Sequence, residues 1–408
     1  RDSPAMDLPA VPSALLDALK AAAVEAGLPR LALVGGVVRD LLLHQRHGRP
    51  WHGVPDLDWV VEGSATHLSE VLLERCGPAR VTRVQHHDQF ATVALDLDGV
   101  PLDLATARQE HYPAPAQNPV VQPGSLAADL VRRDLTINAM ALDLISGELI
   151  DPHGGQSDLA AGRLQFLHPG SISDDPTRVI RAARYGARLG MNLGFDALKQ
   201  VRETVAAWPW AWQVGDAPET APPALASRLR MELERLLDHE PWPIALDLLE
   251  SWQALALVDP CLQCDPERTR RLRWGQRLGL PLMTSLLAAA ADPGAVARRL
   301  QIPGQQQQWL ERLPSLKAWL SSDPLPQSAS PDAWTSALES GGWSPQTVAL
   351  MVTLRPPGWR PLLRWWGRWR HIQSPQSARQ LIADGWHPGP HLGEELRRRR
   401  GVLLDQGR

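Results

Sequence analysis

Leu31-Ala32-Leu33-Val34-Gly35-Gly36-Val37-Val38-Arg39-Asp40 and, beyond a polar stretch, Asp56-Leu57-Asp58-Trp59-Val60-Val61 decide how the rest of the chain is read. An apolar run, a double glycine and an amphipathic continuation predict strand, tight turn and helix. The Gly35-Gly36 turn leaves backbone N–H groups bare at a helix start, where they can cradle a phosphate. Arg39 falls in the first turn of that helix, from which a guanidinium can reach back to phosphate oxygens in a bidentate geometry that lysine cannot copy. The competing reading of Arg39 is a surface pair with Asp40. Asp56 and Asp58 alternate along a predicted strand, so both carboxylates leave one face of a sheet. Two oxygen ligands of that kind suit Mg²⁺. A double glycine by itself is usually only a turn, and an isolated D-x-D is usually a solvated strand margin. In this order they supply a nucleotidyl transfer site, with the turn for a triphosphate and the carboxylates for metal ions that activate a 3′-hydroxyl and stabilise leaving pyrophosphate.

Further motifs follow in order: FATVALDL from Phe90, DLATARQEHY from Asp103, VRRDLTINAMALDL from Val131, DPHGGQSDLAAGRL from Asp151 and DDPTRVIRAARYGARLG from Asp174. With LVGGVVRD and DLDWVVEG these resemble the successive motifs of the class II tRNA nucleotidyltransferase and bacterial poly(A) polymerase family, within the DNA polymerase β superfamily. The likeness covers about residues 31–190. It thins beyond, where SRLRMELERLL near 227–237 and GWHPGPHLGEEL near 385–396 look like weaker family segments.

The resemblance implies an α+β fold, in which a small, mainly antiparallel-sheet nucleotidyltransferase head (1–150) is followed by an all-α neck for nucleotide-base recognition (151–205), body (206–340) and basic tail (341–408), the last two RNA-binding. It implies Asp56 and Asp58 as catalytic metal ligands for two Mg²⁺ ions, and Gly35, Gly36 and Arg39 at the nucleotide. Carried over from the second motif, Arg133 contacts the incoming nucleotide while Asp134 and Asn138 brace the site. Asp103 sits in a later strand and is a candidate third carboxylate. The substrates implied are a tRNA 3′ end and nucleoside triphosphates, ATP and, as a second candidate, CTP.

The helix predicted from about Pro176 to Leu189 opens on Asp174 and Asp175, where carboxylates cap N–H groups, and Pro176 fits its first turn. At 100° per residue Arg178, Arg181, Arg184 and Arg188 share one stripe, and Val179, Ile180, Ala183 and Ala187 the opposite one. The bland reading is a solvated face with an ordinary cap, and the family's fourth motif favours a nucleotide-binding one. Asp175 and Arg178, three residues apart, can act as a protein template: the carboxylate accepts from the amine that cytosine and adenine share, and uracil and guanine present a carbonyl there instead.

Composition bounds the rest. The chain has 408 residues and a formal charge of −3, which is room for two to four packed units. Residues 355–408 hold eleven Arg and no Lys against four acids, so this end carries +7 and the remainder −10. A basic tail on an acidic body points to localised contact with a polyanion. The alternative is a solvated helical surface. RPPGWRPLLRWWGRWRH (355–371) interleaves Trp with Arg, able either to stack on bases or to bury Trp beneath snorkelling arginines. Three cysteines are too few for a disulfide framework and predict a reducing cytoplasm. Cys261-x-x-Cys264 lacks the second pair that zinc needs. No apolar stretch is long enough to span a membrane, and the start lacks a signal peptide's apolar core. RDSPA precedes the first methionine, Met6, and is expected to lie outside the natural start.

Residues 9–27 and 64–73 have helical spacing, and His44, His47 and His52 fall in a polar loop. His86-His87-Asp88 contains the His-Asp pair of metal phosphohydrolases without the partner residues that class needs. Residues 108–124 are Pro-rich and expected to form a flexible loop. In the family such a loop is kept by enzymes that add the terminal A and lacking in CC-only relatives. Residues 151–164 read as a turn-rich joint. Past about 205 the chain holds fifteen of its seventeen tryptophans and reads as short helices. The activity implied is A-incorporating nucleotidyl transfer to tRNA. Poly(A) polymerase is the near alternative, and a non-catalytic RNA-binding relative the alternative from another class.

Overall fold

The structure, a computed structural model, describes residues 7–53, 55–87, 89 and 91–407. The RDSPA start with Met6, and Asp88 of the His-Asp pair, lie outside the described residues. The chain divides into two compact units, the first running to Ala211 and taking in Pro222–Ala224 and Asp238–Ala254, the second formed by Trp212–Ala221, Leu225–Leu237 and Leu255 onward.

The first unit begins α1 (Ser13–Glu25), β1 (Arg30–Val34), α2 (Gly36–His47), β2 (Leu57–Glu62), α3 (Ala65–Cys76), β3 (Val81–His87), β4 (Thr92–Leu97) and β5 (Val100–Thr106). It continues β6 (Arg108–His111), β7 (Val120–Pro123), α4 (Leu126–Val131), a 3₁₀ turn Thr136–Asn138, β8 (Ala141–Asp143), β9 (Leu149–Ile150), α5 (Gly155–Ala161) and β10 (Arg163–Leu164). Then come α6 (Ser171–Asp174), α7 (Thr177–Leu189), β11 (Asn192–Leu193) and α8 (Phe195–Ala207); α9 (Ser227–His239) belongs to the second unit up to Leu237, and α10 (Trp242–Ser251), back in the first, packs on α7. Seven strands form one sheet in the order β3-β4-β5-β2-β1-β8-β9, antiparallel throughout except between β2 and β5. This is the antiparallel-dominated α+β sheet that the motifs led us to expect.

Alternation gives the sheet two faces. Ala32, Val34, Val60 and Ala141 lie on one and pack with Leu126 and Leu130 of α4. Ser64 starts α3 by accepting from the His67 N–H at 3.1 Å, and α3 packs on α1 and on β3, β4 and β5. Residues 108–124 correct the expectation of a flexible loop. β6 and β7 pair antiparallel, Arg108 opposite Pro123 through His111 opposite Val120. The prolines that suggested a loop fall at Pro113, Pro115 and Pro119 in the connection, and Pro123 ends β7, where a missing N–H is tolerated. The joint at 151–164 likewise contains a helix, α5, whose first N–H groups are accepted by Asp151: Gly155 at 2.7 Å and Gln156 at 2.9 Å.

The second unit is helical, with α11 (Arg268–Arg277), α12 (Leu282–Leu287), α13 (Pro293–Leu300), α14 (Gly304–Glu311), α15 (Leu313–Ser321), α16 (Pro331–Ser340), α17 (Pro345–Leu354), α18 (Trp359–Gly367), α19 (Ala378–Ala383) and α20 (Pro390–Gln406). Trp334, Trp365 and Trp369 are buried, while Arg360, Arg364 and Arg368 stay exposed. Part of the Trp/Arg interleaving is therefore core beneath snorkelling arginines. Arg299 is buried, donates to the Leu257 and Val258 carbonyls and lies 4.7 Å from the Trp212 ring centroid. Desolvation lowers its pKa to about 10, with Asp259 opposing. Among the described residues no helix is long and apolar enough to cross a membrane.

Candidate active site

β1 and β2 pair with Leu33 opposite Trp59, which brings the end of β1 and the glycine turn level with Asp58 and Asp56. Asp58 stands two residues before Val60 and leaves the same sheet face. Asp56 just precedes β2, and both carboxylates are exposed. The parallel pairing of β2 and β5 sets Asp103 directly beside Asp58. The Asp58 carboxyl is pushed above its ordinary range, first by desolvation, then by the like charges of Asp103 and Asp56; Arg133 pulls against them. These open carboxylates fit Mg²⁺, which takes one or two protein carboxylates and completes its shell with water and phosphate oxygens. Asp56 and Asp58 are the residues that would hold it. Among the described residues no three His, Cys, Asp or Glu side chains are already disposed around a metal position, and Cys261 and Cys264 are exposed free thiols.

Gly35 has φ +77°, a conformation that favours glycine. Arg133 lies across this turn, its Nη1 3.7 Å from where a Gly35 Cβ would stand. Its Nη2 donates to Asp129 at 2.9 Å, and its Nε is shielded from solvent without a hydrogen-bond partner. Gly35, Asp58 and Arg133 are thus together around one space. Arg39 lies on the inner side of the turn, 2% exposed, its Nη2 3.2 Å from the Cβ that Gly36 lacks. Its Nε and Nη2 meet Asp40 at 2.9 and 2.8 Å, the pairing weighed from the sequence, while Nη1 donates to Asn138 at 2.8 Å.

From Asn138 a chain of hydrogen bonds runs to α7. Its Nδ2 donates to Asp134 Oδ1 at 3.2 Å, and Asp134 Oδ2 accepts from Arg181 Nε at 2.7 Å. Burial works against the Asp134 charge, but Arg181, the Leu135 N–H and Asn138 together hold its carboxyl below the ordinary range. Asn138 is held in turn by α5, because Gly155 lets that helix approach the 3₁₀ turn: a Cβ there would stand 2.4 Å from the Thr136 carbonyl.

The start of α7 is committed inward. Asp175 Oδ1 accepts from the Thr177 N–H at 3.1 Å and its hydroxyl at 2.5 Å. Arg178 donates to the carbonyls of Ser171 and Arg132, both at 2.9 Å, and stands 5.7 Å from the Tyr112 ring centroid. Asp175 and Arg178 are both buried, as is Arg184. Arg184 lies 3.5 Å from Glu240, and Arg188 Nε donates to Glu240 at 3.1 Å. The stripe seen in the sequence is real, yet Arg178 and Arg184 are enclosed by neighbouring elements.

Asp129, Tyr112, Tyr185 and Glu240 escaped the sequence reading. Asp129 is 1% exposed, pairs with both Arg132 and Arg133, and accepts the Arg108 backbone N–H at 3.1 Å. Its spacing four residues before Arg133 was the available signal. Both tyrosines of the chain lie against arginines of α7.

Residues 31–165 match the poly A polymerase head domain. The chain is 42% identical over 179 residues to the A-adding tRNA nucleotidyltransferase of Aquifex aeolicus, a match covering 43% of this chain and 20% of that protein. It is 34% identical over 379 residues to the CC-adding tRNA nucleotidyltransferase of Deinococcus radiodurans, covering 90% of this chain and 82% of that one. The chain belongs to the class II tRNA nucleotidyltransferase family. A solved CCA-adding enzyme in an apo form shares the fold, with a TM-score of 0.71 at 24% identity over 97% of this chain and 92% of that one. In this member of the tRNA nucleotidyltransferase family the matched head takes in the glycine turn, the three carboxylates and the Arg133–Asn138 segment, and stops before α7.

Proposed function

We propose that the protein transfers nucleoside monophosphates from ATP, and CTP as a second candidate, to the 3′ end of tRNA. The observation that carries this reading is the alignment of Asp58 with Asp103 beside Asp56, facing Arg133 and the Gly35-Gly36 turn. In it, the turn and Arg133 bind the triphosphate, and Arg39 places a positive charge behind the turn. Asp134 and Asn138 hold these parts in place, and we assign base recognition to Asp175 and to Arg178, Arg181 and Arg184 of α7. Two Mg²⁺ ions, when bound at Asp56 and Asp58, supply activation of the 3′-hydroxyl and neutralisation of charge on the leaving pyrophosphate. We keep the division into head, neck, body and tail, with body and tail holding tRNA by shape and phosphates in the cytoplasm.

On nucleotide choice we favour an A-incorporating enzyme, since residues 108–124 keep their length and are tied to Arg132 and Arg133 through Asp129. CC addition is the second reading, favoured by the long alignment with the Deinococcus enzyme. Purified protein offered tRNA ending before the first C, after the second C or complete, with ATP and CTP given separately, separates the two. Addition of A to the CC-ended tRNA supports the first reading; addition of C alone to the shortest tRNA supports the second.

A further inference from the structure

Tyr185 sits on α7 one turn beyond Arg181 and one turn short of Arg188. Four guanidiniums surround its ring: Arg39 at 5.0 Å from the centroid, Arg188 at 5.4 Å, Arg184 at 5.9 Å and Arg181 at 6.0 Å. Three of these come from the same helix: Arg181 and Arg188 stand one turn away, where neighbours meet in any case, and Arg184 is the adjacent residue. Arg39 does not come from that helix. It belongs to α2, is buried, and is the nearest of the four. The hydrogen bonds from Arg39 through Asn138 and Asp134 to Arg181 already join α2 to α7. The Tyr185 ring, in contact with both end residues of that chain, closes it into a loop.

We propose that Tyr185 is a positioning residue for the incoming nucleotide: its ring holds Arg39 behind the Gly35-Gly36 turn and fixes that turn relative to α7. The inference rests on the reading of the turn as the triphosphate site. An aromatic ring suits the task because its quadrupole attracts cations while carrying no net charge. A carboxylate in its place would hold the arginines equally, but it would add a second negative charge to the one that Asp40 already sets against Arg39, and the excess would repel the triphosphate. An aliphatic side chain would fill the space and leave the Arg39 guanidinium no face to lie on.

The test compares Tyr185→Leu and Tyr185→Phe in the full chain. Steady-state transfer to tRNA gives KM for ATP, KM for tRNA and kcat, and equilibrium binding of a fluorescent ATP analogue without tRNA gives a second readout. Tyr185→Leu should weaken nucleotide binding and raise KM for ATP about tenfold. KM for tRNA and the melting temperature should barely move, and Tyr185→Phe should stay within about twofold of the wild type. Should Tyr185→Leu fail to fold, Tyr185→Met carries the same comparison. An unchanged ATP affinity in the aliphatic variant overturns the proposal, as does a Phe variant as impaired as the aliphatic one, or a parallel loss of tRNA affinity and melting temperature. Because the binding arm reads Tyr185 even if no transfer to tRNA is seen, failure of this inference and failure of the transferase reading are distinct results.

Discussion

Asp58 holds its proton to higher pH than an ordinary aspartate, because desolvation and the Asp103 and Asp56 charges all disfavour its ionised form. As pH falls, the carboxylate is therefore lost earlier than its ordinary pKa of 3.8 would predict. Metal and proton compete for the same oxygens, so raising Mg²⁺ should move the acid limb of kcat/KM to lower pH. Profiles at two Mg²⁺ concentrations check this, and an acid limb indifferent to Mg²⁺ counts against Asp58 as a ligand. Asp134 is the opposite case. Its folded-state pKa is lowered, so the ion it forms stabilises the fold fully above the ordinary aspartate value near 3.8 and that contribution is lost as pH falls below it. Asp134→Asn should cost about 2–3 kcal/mol at neutral pH, somewhat less than a fully buried pair because Arg181 keeps some access to water. The gap from the wild type, followed by denaturant unfolding, should narrow below pH 3.8.

The elements carry these residues by close approaches. Gly155→Ala would drive a Cβ into the Thr136 carbonyl and the Met140 side chain. Overpacking of that kind should lower stability by about 1–3 kcal/mol, and nucleotide affinity should fall with it because Asn138 shifts; thermal melts and ATP titrations read the two effects. Strand-turn-helix at Leu31 and the strand that carries Asp58 were legible because an apolar run of strand length and a glycine pair admit few other conformations, although Asp56 falls just before that strand and not within it. The periodicity of α7 was legible for the same reason. What periodicity could not give was which arginines the neighbouring elements enclose: Arg178 meets backbone carbonyls from two other segments, and Arg184 meets Glu240, 56 positions along the chain. The hairpin β6–β7 was hidden by prolines that turned out to occupy its connection and its last position. Asp103 was visible as a strand carboxylate, but only the β2–β5 register made it Asp58's neighbour.

At the scale of the molecule, the +7 charge of residues 355–408 is separable from their packing. Trp365, Trp369, Leu392 and Leu404 are buried, so cutting the tail away would strip a core. Arg360, Arg364 and Arg397 are exposed and can be changed alone. Replacing all three with Gln should leave the melting temperature unchanged and flatten the salt dependence of tRNA binding by about two to three in log–log slope if each meets a phosphate. An unchanged slope would make the tail's charge a solvated surface. Whether the head is a transferase is decided at one residue. Transfer of labelled AMP or CMP from ATP or CTP to 3′-truncated tRNA should be readily measured in the wild type. In Asp58→Ala it should fall by about a thousandfold or more, since losing a metal ligand removes several kcal/mol of transition-state stabilisation, while melting temperature and tRNA affinity stay put. Transfer by Asp58→Ala within about tenfold of the wild type would contradict the account.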